Sequence, residues 1–157
     1  MFEEKIMKQL RQYIEESLLD IDDNINTDID FIGEIKKFIK DKFSAKGVSI
    51  SKKLGEDGKY IVNAKTVMTK TSDLDSLTNG YFNWGTIALD FFCDHSNIYT
   101  LEGGPSAVGR IFSCSFCKNL KSLEGAPKLV GGKFYCRKMN FTEEDVRKVT
   151  KTKYVEV

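Results

Sequence analysis

Asn119-Leu-Lys-Ser-Leu-Glu-Gly-Ala-Pro-Lys-Leu-Val-Gly-Gly-Lys-Phe-Tyr-Cys136 is the stretch that decides the fold, because it is a repeat. It aligns without a gap on Asn97-Ile-Tyr-Thr-Leu-Glu-Gly-Gly-Pro-Ser-Ala-Val-Gly-Arg-Ile-Phe-Ser-Cys114, which begins 22 residues earlier. A third, looser copy begins at Asp73-Leu-Asp-Ser-Leu-Thr-Asn-Gly80 and reaches Phe91-Phe-Cys93. Self-similarity at a fixed period of about 20 to 30 residues is typical of a solenoid, so the sequence predicts stacked, structurally equivalent turns.

Each copy ends in a short predicted strand, and side chains alternate between the two faces of a strand. The shared phenylalanine and cysteine positions are two residues apart, so we expect both to face inward. Successive turns should then stack as parallel strands about 4.8 Å apart. Two buried ladders are predicted along the stack: Phe91, Phe112 and Phe134, and Cys93, Cys114 and Cys136. One repeat cannot bury its own apolar face, so both ends of the stack need covering.

Two predicted helices precede the repeats. Apolar residues recur at three- and four-residue steps over residues 2–20 and again over residues 28–43, which is typical of amphipathic helices. Core packing against the repeats is the ordinary explanation of such stripes. A homodimer interface or a groove-binding helix is the functional alternative, and we hypothesise that part of this apolar surface forms a homodimer.

The segment between these helices and the repeats has the pattern of a hairpin. Val48–Ala64 contains two strand-like runs on either side of the turn sequence Gly55-Glu-Asp-Gly58. Ala64–Thr71 is a candidate degenerate turn of the solenoid, with Val67 or Met68 in the phenylalanine and cysteine positions. The solenoid is therefore expected to begin before the recognisable repeats.

The chain after the repeats should form a second cover. Thr142, followed three residues later by Asp145, predicts the capped start of a short helix, and Lys153–Val157 is a candidate final strand. The predicted fold class is α+β, with N-terminal helices capping a short parallel β-solenoid and a C-terminal capping helix. The predicted regions are an N-terminal helical region (residues 1–45), the hairpin with the solenoid (residues 46–141) and a C-terminal helix and strand that cap it (residues 142–157).

Composition narrows the function classes. The chain has 157 residues, of which 41% are hydrophobic and 30% charged, which argues against disorder. Its 24 basic and 23 acidic residues give a net charge of +1, so no strongly basic field for a polyanion is expected. No apolar run approaches the ~18 residues of a membrane span, and the first residues lack the layout of a secretion signal. We therefore expect a cytosolic protein.

Four cysteines suggest either a zinc site or a disulfide framework. Cys114-x-x-Cys117, together with Cys93-x-His95, supplies four possible zinc ligands. However, three of the four cysteines, Cys93, Cys114 and Cys136, fall at one repeat position. A small buried hydrophobic residue fits this position, and free cysteine behaves as one. We predict neither a structural metal nor a disulfide, because three of the four cysteines are set by the repeat, and because cytosolic thiols stay reduced, which also disfavours a disulfide.

The motif Leu-x-Ser-Leu-Glu-Gly-Ala-Pro-x-x-Val-Gly-Gly-x-Phe-x-Cys, at residues 120–136, resembles leucine-rich-repeat-like units of small proteins of tailed, T-even-like bacteriophages. Tyr60-Ile-Val-Asn-Ala-Lys65 and Phe141-Thr-Glu-Glu-Asp-Val146 are also similar to that group, whereas the copy from Asp73 departs from it by lacking the proline. The resemblance implies a leucine-rich-repeat-like solenoid and a viral protein of the host cytoplasm that acts on host or rival proteins. It implies no common activity.

Catalysis and nucleic-acid binding have weak signals. The one candidate nucleophile pair is Cys93 and His95, but Cys93 is expected in the inward ladder, so we predict a protein that is not an enzyme and has no cofactor. Nucleic-acid binding needs a basic field, and basic residues here are balanced by acids except in the last repeat. The alternative to a protein-binding function is a nucleic-acid-associated protein or a structural protein of the virion.

Protein binding is the leading prediction, because solenoids present repeated strand faces that commonly bind partners. The partner implied by the resemblance is a host or defence-system protein, inhibited or modulated by the binding. The alternative is that the outward face is only solvated or covered. The candidate protein-binding residues alternate with the inward ladders and are Asp90, Phe92, Asp94, Ile111, Ser113, Lys133, Tyr135 and Arg137.

Overall fold

A computed structural model describes residues 30–157 of the chain. The helix predicted over residues 2–20 lies outside this described part. The chain divides into two compact units, Met1–Lys37 and Phe38–Val157. In the first unit residues 30–37 are described and are helical, and the second unit contains all of the repeats. Within the described residues, no helix is both long and apolar enough to cross a membrane.

The repeats form a β-solenoid of about four turns with a spacing of about 22 residues and mostly parallel strands, as the sequence predicts. The earlier turns contribute two short strands separated by a bend, and in the last turn the two are joined in one continuous strand. The elements in chain order are α1 (residues 30–42), β1 (Phe43–Lys46), β2 (Ser49–Ile50), β3 (Tyr60–Ala64), β4 (Thr66–Thr69), β5 (Phe82–Ile87), β6 (Asp90–Phe92), β7 (Ala107–Val108), β8 (Ile111–Ser113), β9 (Leu129–Tyr135), α2 (Glu143–Val149) and β10 (Lys151–Glu156).

The strands line up in two parallel ladders. The first-strand ladder runs through β3, β5, β7 and the beginning of β9, and the second-strand ladder runs through β4, β6, β8 and the end of β9. β10 pairs in parallel along both halves of β9. β1 adds to β4 and β2 adds to β3 in antiparallel fashion, and the β2–β3 pairing confirms the predicted hairpin.

The predicted phenylalanine ladder is confirmed. Phe91 is in register with Phe112, and Phe112 with Phe134, with ring centroids 5.8 Å and 5.0 Å apart. All three side chains are fully buried. Val67 pairs with Phe91, and Val155 pairs with Phe134, so the inward row continues through the degenerate turn at one end and the final strand at the other.

Glycine makes the bend between the two strands of a turn possible. A Cβ on Gly131 would overlap the carbonyl oxygen of Gly109, and a Cβ on Gly109 would overlap that of Ala88. Backbones of successive turns therefore touch at the bend, which explains why the Val-Gly pair is shared between the repeats.

Side-chain contacts position the end of α1 and the start of α2. Phe38, in the last turn of α1, packs edge-on against Phe43 and Phe82 at centroid distances of 6.1 and 6.2 Å. At the start of α2 the hydroxyl of Thr142 accepts from the Asp145 N–H, while the Asp145 carboxylate accepts from the Thr142 N–H, so the predicted capping box is present. The capping of the solenoid by helices remains a prediction.

Candidate functional site

The outward side of the second-strand ladder carries the predicted binding residues and is called the outer face below. Strand alternation places it opposite the buried phenylalanine ladder. Its register gives two rows across successive turns. The first row is Asp90, Ile111, Lys133 and Tyr154, and the second is Met68, Phe92, Ser113, Tyr135 and Glu156. Asp94, Ser115 and Arg137 follow the strands on the same side.

Large apolar and aromatic side chains are spread over this face. Phe92, Ile111 and Tyr135 are half-buried, whereas Met68 and Tyr154 are 52% and 63% exposed. They lie on strands of a hydrogen-bonded sheet, so the backbone that positions them is held between neighbouring turns. The outer face therefore offers apolar contact area on a rigid support, which is what binding sites built on strands provide.

Tyr135 is the centre of a cluster of charged side chains on the outer face. The Arg137 guanidinium carbon lies 4.5 Å from the ring centroid, and the Lys133 Nζ lies 5.9 Å from it. Arg137 Nε is 2.6 Å from Glu156 Oε1, and this hydrogen bond raises the pKa of the Arg137 guanidinium above its ordinary value. Two cations thus lie beside the aromatic ring and are attracted to its electron-rich face.

Two predicted contact residues are buried rather than exposed, and this corrects the sequence prediction. Asp90 is 7% exposed because the Arg110 guanidinium covers it with two hydrogen bonds, one from Nε to Oδ1 at 2.8 Å and one from Nη2 to Oδ2. Ser113 is 2% exposed, and its hydroxyl donates to Asp94 Oδ1 at 2.5 Å. Strand alternation assigns the side of the sheet correctly but does not show what lies over a short side chain.

Asp94 links two turns of the solenoid. Its Oδ1 accepts from the Ser113 hydroxyl and from the Ser115 backbone N–H, the latter at 2.7 Å. The Ser115 hydroxyl in turn accepts from the Arg137 backbone N–H at 3.0 Å. These bonds fix the polar side of the outer face, so the half-buried Asp94 holds neighbouring strands in place as well as facing solvent.

The sequence prediction missed four residues of the outer face. Arg110 covers Asp90, and Met68, Tyr154 and Glu156 extend the rows onto the first and last strands. Tyr154 and Glu156 occupy outward positions in the predicted final strand, so a signal for them exists in the sequence. Met68 was a candidate for an inward position, and the structure corrects this, because Val67 takes the phenylalanine position and Met68 pairs with Phe92 on the outer face. Arg110 has no such signal, because its role depends on a pairing across two turns.

The possible Cys–His pair is not brought together as a nucleophile and base. Cys93 is fully buried, and its thiol donates to the Ser113 carbonyl oxygen at 3.3 Å. His95 is exposed and stacks on Phe116 with ring centroids 4.4 Å apart and an interplanar angle of 7°. The histidine therefore belongs to a corner of the solenoid rather than to its cysteine-lined interior.

The four cysteines are free thiols, and all are buried. The Cys117 thiol donates to the Cys93 carbonyl at 3.1 Å. Hydrogen bonding with Cys93, supported by Ser96, lowers the pKa of Cys117 to about 7. The pKa of Cys93 is raised by the same contact and by burial, that of Cys114 is raised by burial, and burial raises the pKa of Cys136 to about 11. Residues 30–157 contain no cluster of three or more metal-ligating side chains.

We expect all four thiols to resist alkylation in the folded protein. Burial should slow their reaction with iodoacetamide more than about 100-fold relative to the chain in urea, including that of Cys117 despite its lowered pKa, because reaction then requires local opening. Peptide mapping after timed alkylation measures the reaction rate of each cysteine. Any cysteine that reacts as fast in the native protein as in urea would contradict the packed interior.

Comparisons with protein-family models, with characterised proteins and with solved structures give no match. The resemblance of the repeat to phage leucine-rich-repeat-like units therefore has no support beyond the motif itself.

Proposed function

We propose that this protein is a non-enzymatic binding module whose outer face recognises another protein. The observation that carries the proposal is the cluster around Tyr135, in which an aromatic ring is held between Lys133 and Arg137 on an accessible strand face. Tyrosine and arginine are, with tryptophan, the residue types enriched among the residues that dominate binding energies.

The surroundings of the cluster favour a protein over a small molecule. Phe92, Ile111 and Tyr154 extend the apolar surface across four strands of the sheet, well beyond the partly open cavity that Tyr135, Tyr154 and Glu156 line. Such a surface suits a partner that covers a wide area. Because the strands are already ordered, little conformational freedom is lost when the partner binds.

The identity of the partner is proposed from the repeat motif alone. If the resemblance to phage proteins holds, the protein acts in the host cytoplasm on a host or defence-system protein and inhibits or modulates it. The nearly neutral net charge of +1 supports recognition by shape and apolar contact over attraction by a uniform field.

Nucleic-acid association is the second candidate, and one observation favours it. Six basic side chains of the last repeat are exposed: Lys118, Lys121, Lys128, Lys133, Arg137 and Lys138. Arg137 is neutralised by Glu156, which weakens this field. Binding to single-stranded DNA that falls steeply with salt, and that Lys118→Glu with Lys121→Glu abolishes, would favour this candidate over protein binding.

Truncating Tyr135 to Ala should separate binding from stability. A partner is first isolated with the tagged protein from host cells, and its dissociation constant is then measured by calorimetry with purified components. We expect the change to weaken binding by about 2 kcal/mol or more, near thirtyfold. The free energy of unfolding should fall by less than about 1 kcal/mol, since the ring makes exposed cation–π contacts.

Tyr99→Ala is the matched control, because Tyr99 is 64% exposed and lies in a loop outside the outer face. It should leave the dissociation constant unchanged. Equal losses for the two tyrosines, or none at Tyr135 and Phe92, would place the binding site elsewhere.

A further inference from the structure

A cavity of about 450 Å³ opens on the outer face where β9 and β10 lie side by side, and it is called the terminal cavity below. Its lining comes from two residues of β9 and three consecutive residues of β10: Lys133, Tyr135, Tyr154, Val155 and Glu156. This volume lies within the range of ligand-binding clefts. The terminal cavity is therefore large enough to accept part of a binding partner.

The strand register arranges four of these side chains as a square. Tyr154 lies opposite Lys133, and Glu156 lies opposite Tyr135. The two tyrosines therefore occupy one diagonal of the square, and the two charged residues occupy the other. A group that enters the terminal cavity contacts aromatic carbon and charged atoms at the same time.

The two charged corners do not form an ion pair, because the carboxylate of Glu156 binds Arg137 instead. Arg137 Nε lies 2.6 Å from Glu156 Oε1. Within residues 30–157 the ammonium group of Lys133 makes no hydrogen bond and no ion pair, and its Nζ lies 5.9 Å from the ring centroid of Tyr135. Lys133 therefore brings to the cavity wall a positive charge that no described anion neutralises.

The other carboxylates of the outer face are already bound. Asp90 accepts two hydrogen bonds from Arg110, and Asp94 accepts from the Ser113 hydroxyl and the Ser115 backbone N–H. An exposed lysine by itself is ordinary, but this one lines a concave site beside two aromatic rings. The unmatched charge of the terminal cavity is positive, so the complementary group of a partner is an anion.

We propose that the terminal cavity binds an acidic side chain, glutamate or aspartate, carried by an apolar segment of the partner protein, which rests on the proposed protein-binding function. The carboxylate accepts a hydrogen bond from Lys133 Nζ, and the apolar neighbours of the acidic residue pack on Tyr135 and Tyr154. Charge-assisted hydrogen bonds are about twice as strong as neutral ones, so this contact favours a carboxylate over an amide of the same shape.

Glu156 favours a single carboxylate over the phosphates of a nucleic acid. Its carboxylate stands at the corner opposite Lys133, where it repels a second negative charge. A nucleic acid carries one phosphate per nucleotide, so the phosphates next to the bound one would lie close to Glu156. One acidic residue between apolar residues avoids this repulsion.

Selection of short peptides from a random library by the full chain tests this chemistry. The selected peptides should carry an aspartate or a glutamate between apolar residues. Exchanging that residue for Asn or Gln should weaken binding at least about tenfold, as measured by calorimetry, because the exchange removes the charge and keeps the shape. A library that yields no binder, or binders on which the exchange has no effect, would overturn the proposal.

Two variants of the protein assign this preference to one lysine. Lys133→Met keeps the length of the side chain and removes the charge, so it should abolish the difference between the acidic peptide and its amide. Lys118→Met is the matched control, because Lys118 is also exposed but lies in a turn outside the outer face. It should leave the difference unchanged. Equal losses for the two variants would indicate a general basic field, as for nucleic acid, and would refute the specific site.

Tyr135→Ala distinguishes failure of this proposal from failure of the proposed function. If the outer face is the binding surface, this change weakens binding of the acidic peptide and of its amide alike. Binding that depends on Tyr135 but not on the carboxylate refutes only the acidic partner. Binding that depends on neither refutes both.

Discussion

Replacing Phe112 by Ala is expected to lower the free energy of unfolding by about 3–5 kcal/mol. Phe112 is fully buried at the centre of the ladder, with Phe91 on one side and Phe134 on the other. Its removal deletes ring contacts to both neighbours and leaves a cavity that the stacked backbones cannot close. Because small domains are stable by about 5–15 kcal/mol, the change removes much of the total. Urea denaturation followed by circular dichroism measures it.

The neighbouring residue supplies the control for this prediction. Ile111 precedes Phe112 on the same strand, but it points to the outer face and is half-buried. Ile111→Ala should therefore cost about 1 kcal/mol, since little cavity is created. If Ile111→Ala proves more destabilising than Phe112→Ala, the inward and outward assignments are wrong.

The second large effect is expected for Gly125→Ala. Gly125 has a φ of +87°, and a Cβ there would lie 2.6 Å from the carbonyl carbon of Leu101 and 2.7 Å from the N of Glu102. The left-handed backbone costs roughly 1–2 kcal/mol for a residue with a Cβ, and the overlap with the backbone of the preceding turn adds about 1–3 kcal/mol. We therefore expect a total loss of about 2–5 kcal/mol in the free energy of unfolding.

Gly58→Ala separates these two causes. Gly58 has a similar φ of +75°, but nothing lies within 4 Å of the position that its Cβ would take. It should lose only the conformational part, roughly 1–2 kcal/mol. Equal losses at the two glycines, measured by the same urea titrations, would show that close stacking of the turns does not constrain this corner.

The inward rows were predictable because their chemistry is repeated in the sequence. Phe91, Phe112 and Phe134 recur at the repeat spacing, and only an interior that is the same in every turn requires the same side chain each time. The degenerate first turn could also be predicted from the sequence, since Val67 occupies the phenylalanine position of the register.

The corners show a further limit of the sequence. His95, Phe116 and Lys138 adopt left-handed conformations with φ of 56°, 59° and 56°, at equivalent places in successive turns. Residues with a Cβ rarely adopt this conformation, so local preference does not predict it. The stacking of neighbouring turns imposes the corner, as the packing of the His95 ring on Phe116 shows.

The sequence by itself determined the repeat spacing, the inward ladders and the capping box of α2, because each depends on residues that recur or lie close along the chain. Only the tertiary structure decided which outward residues are accessible. Asp90 is buried under Arg110, and Ser113 is held by Asp94, through contacts between different turns of the solenoid. The exposure of a side chain on the outer face depends on neighbours about 20 residues away in the sequence. No local sequence pattern indicates which neighbours these are.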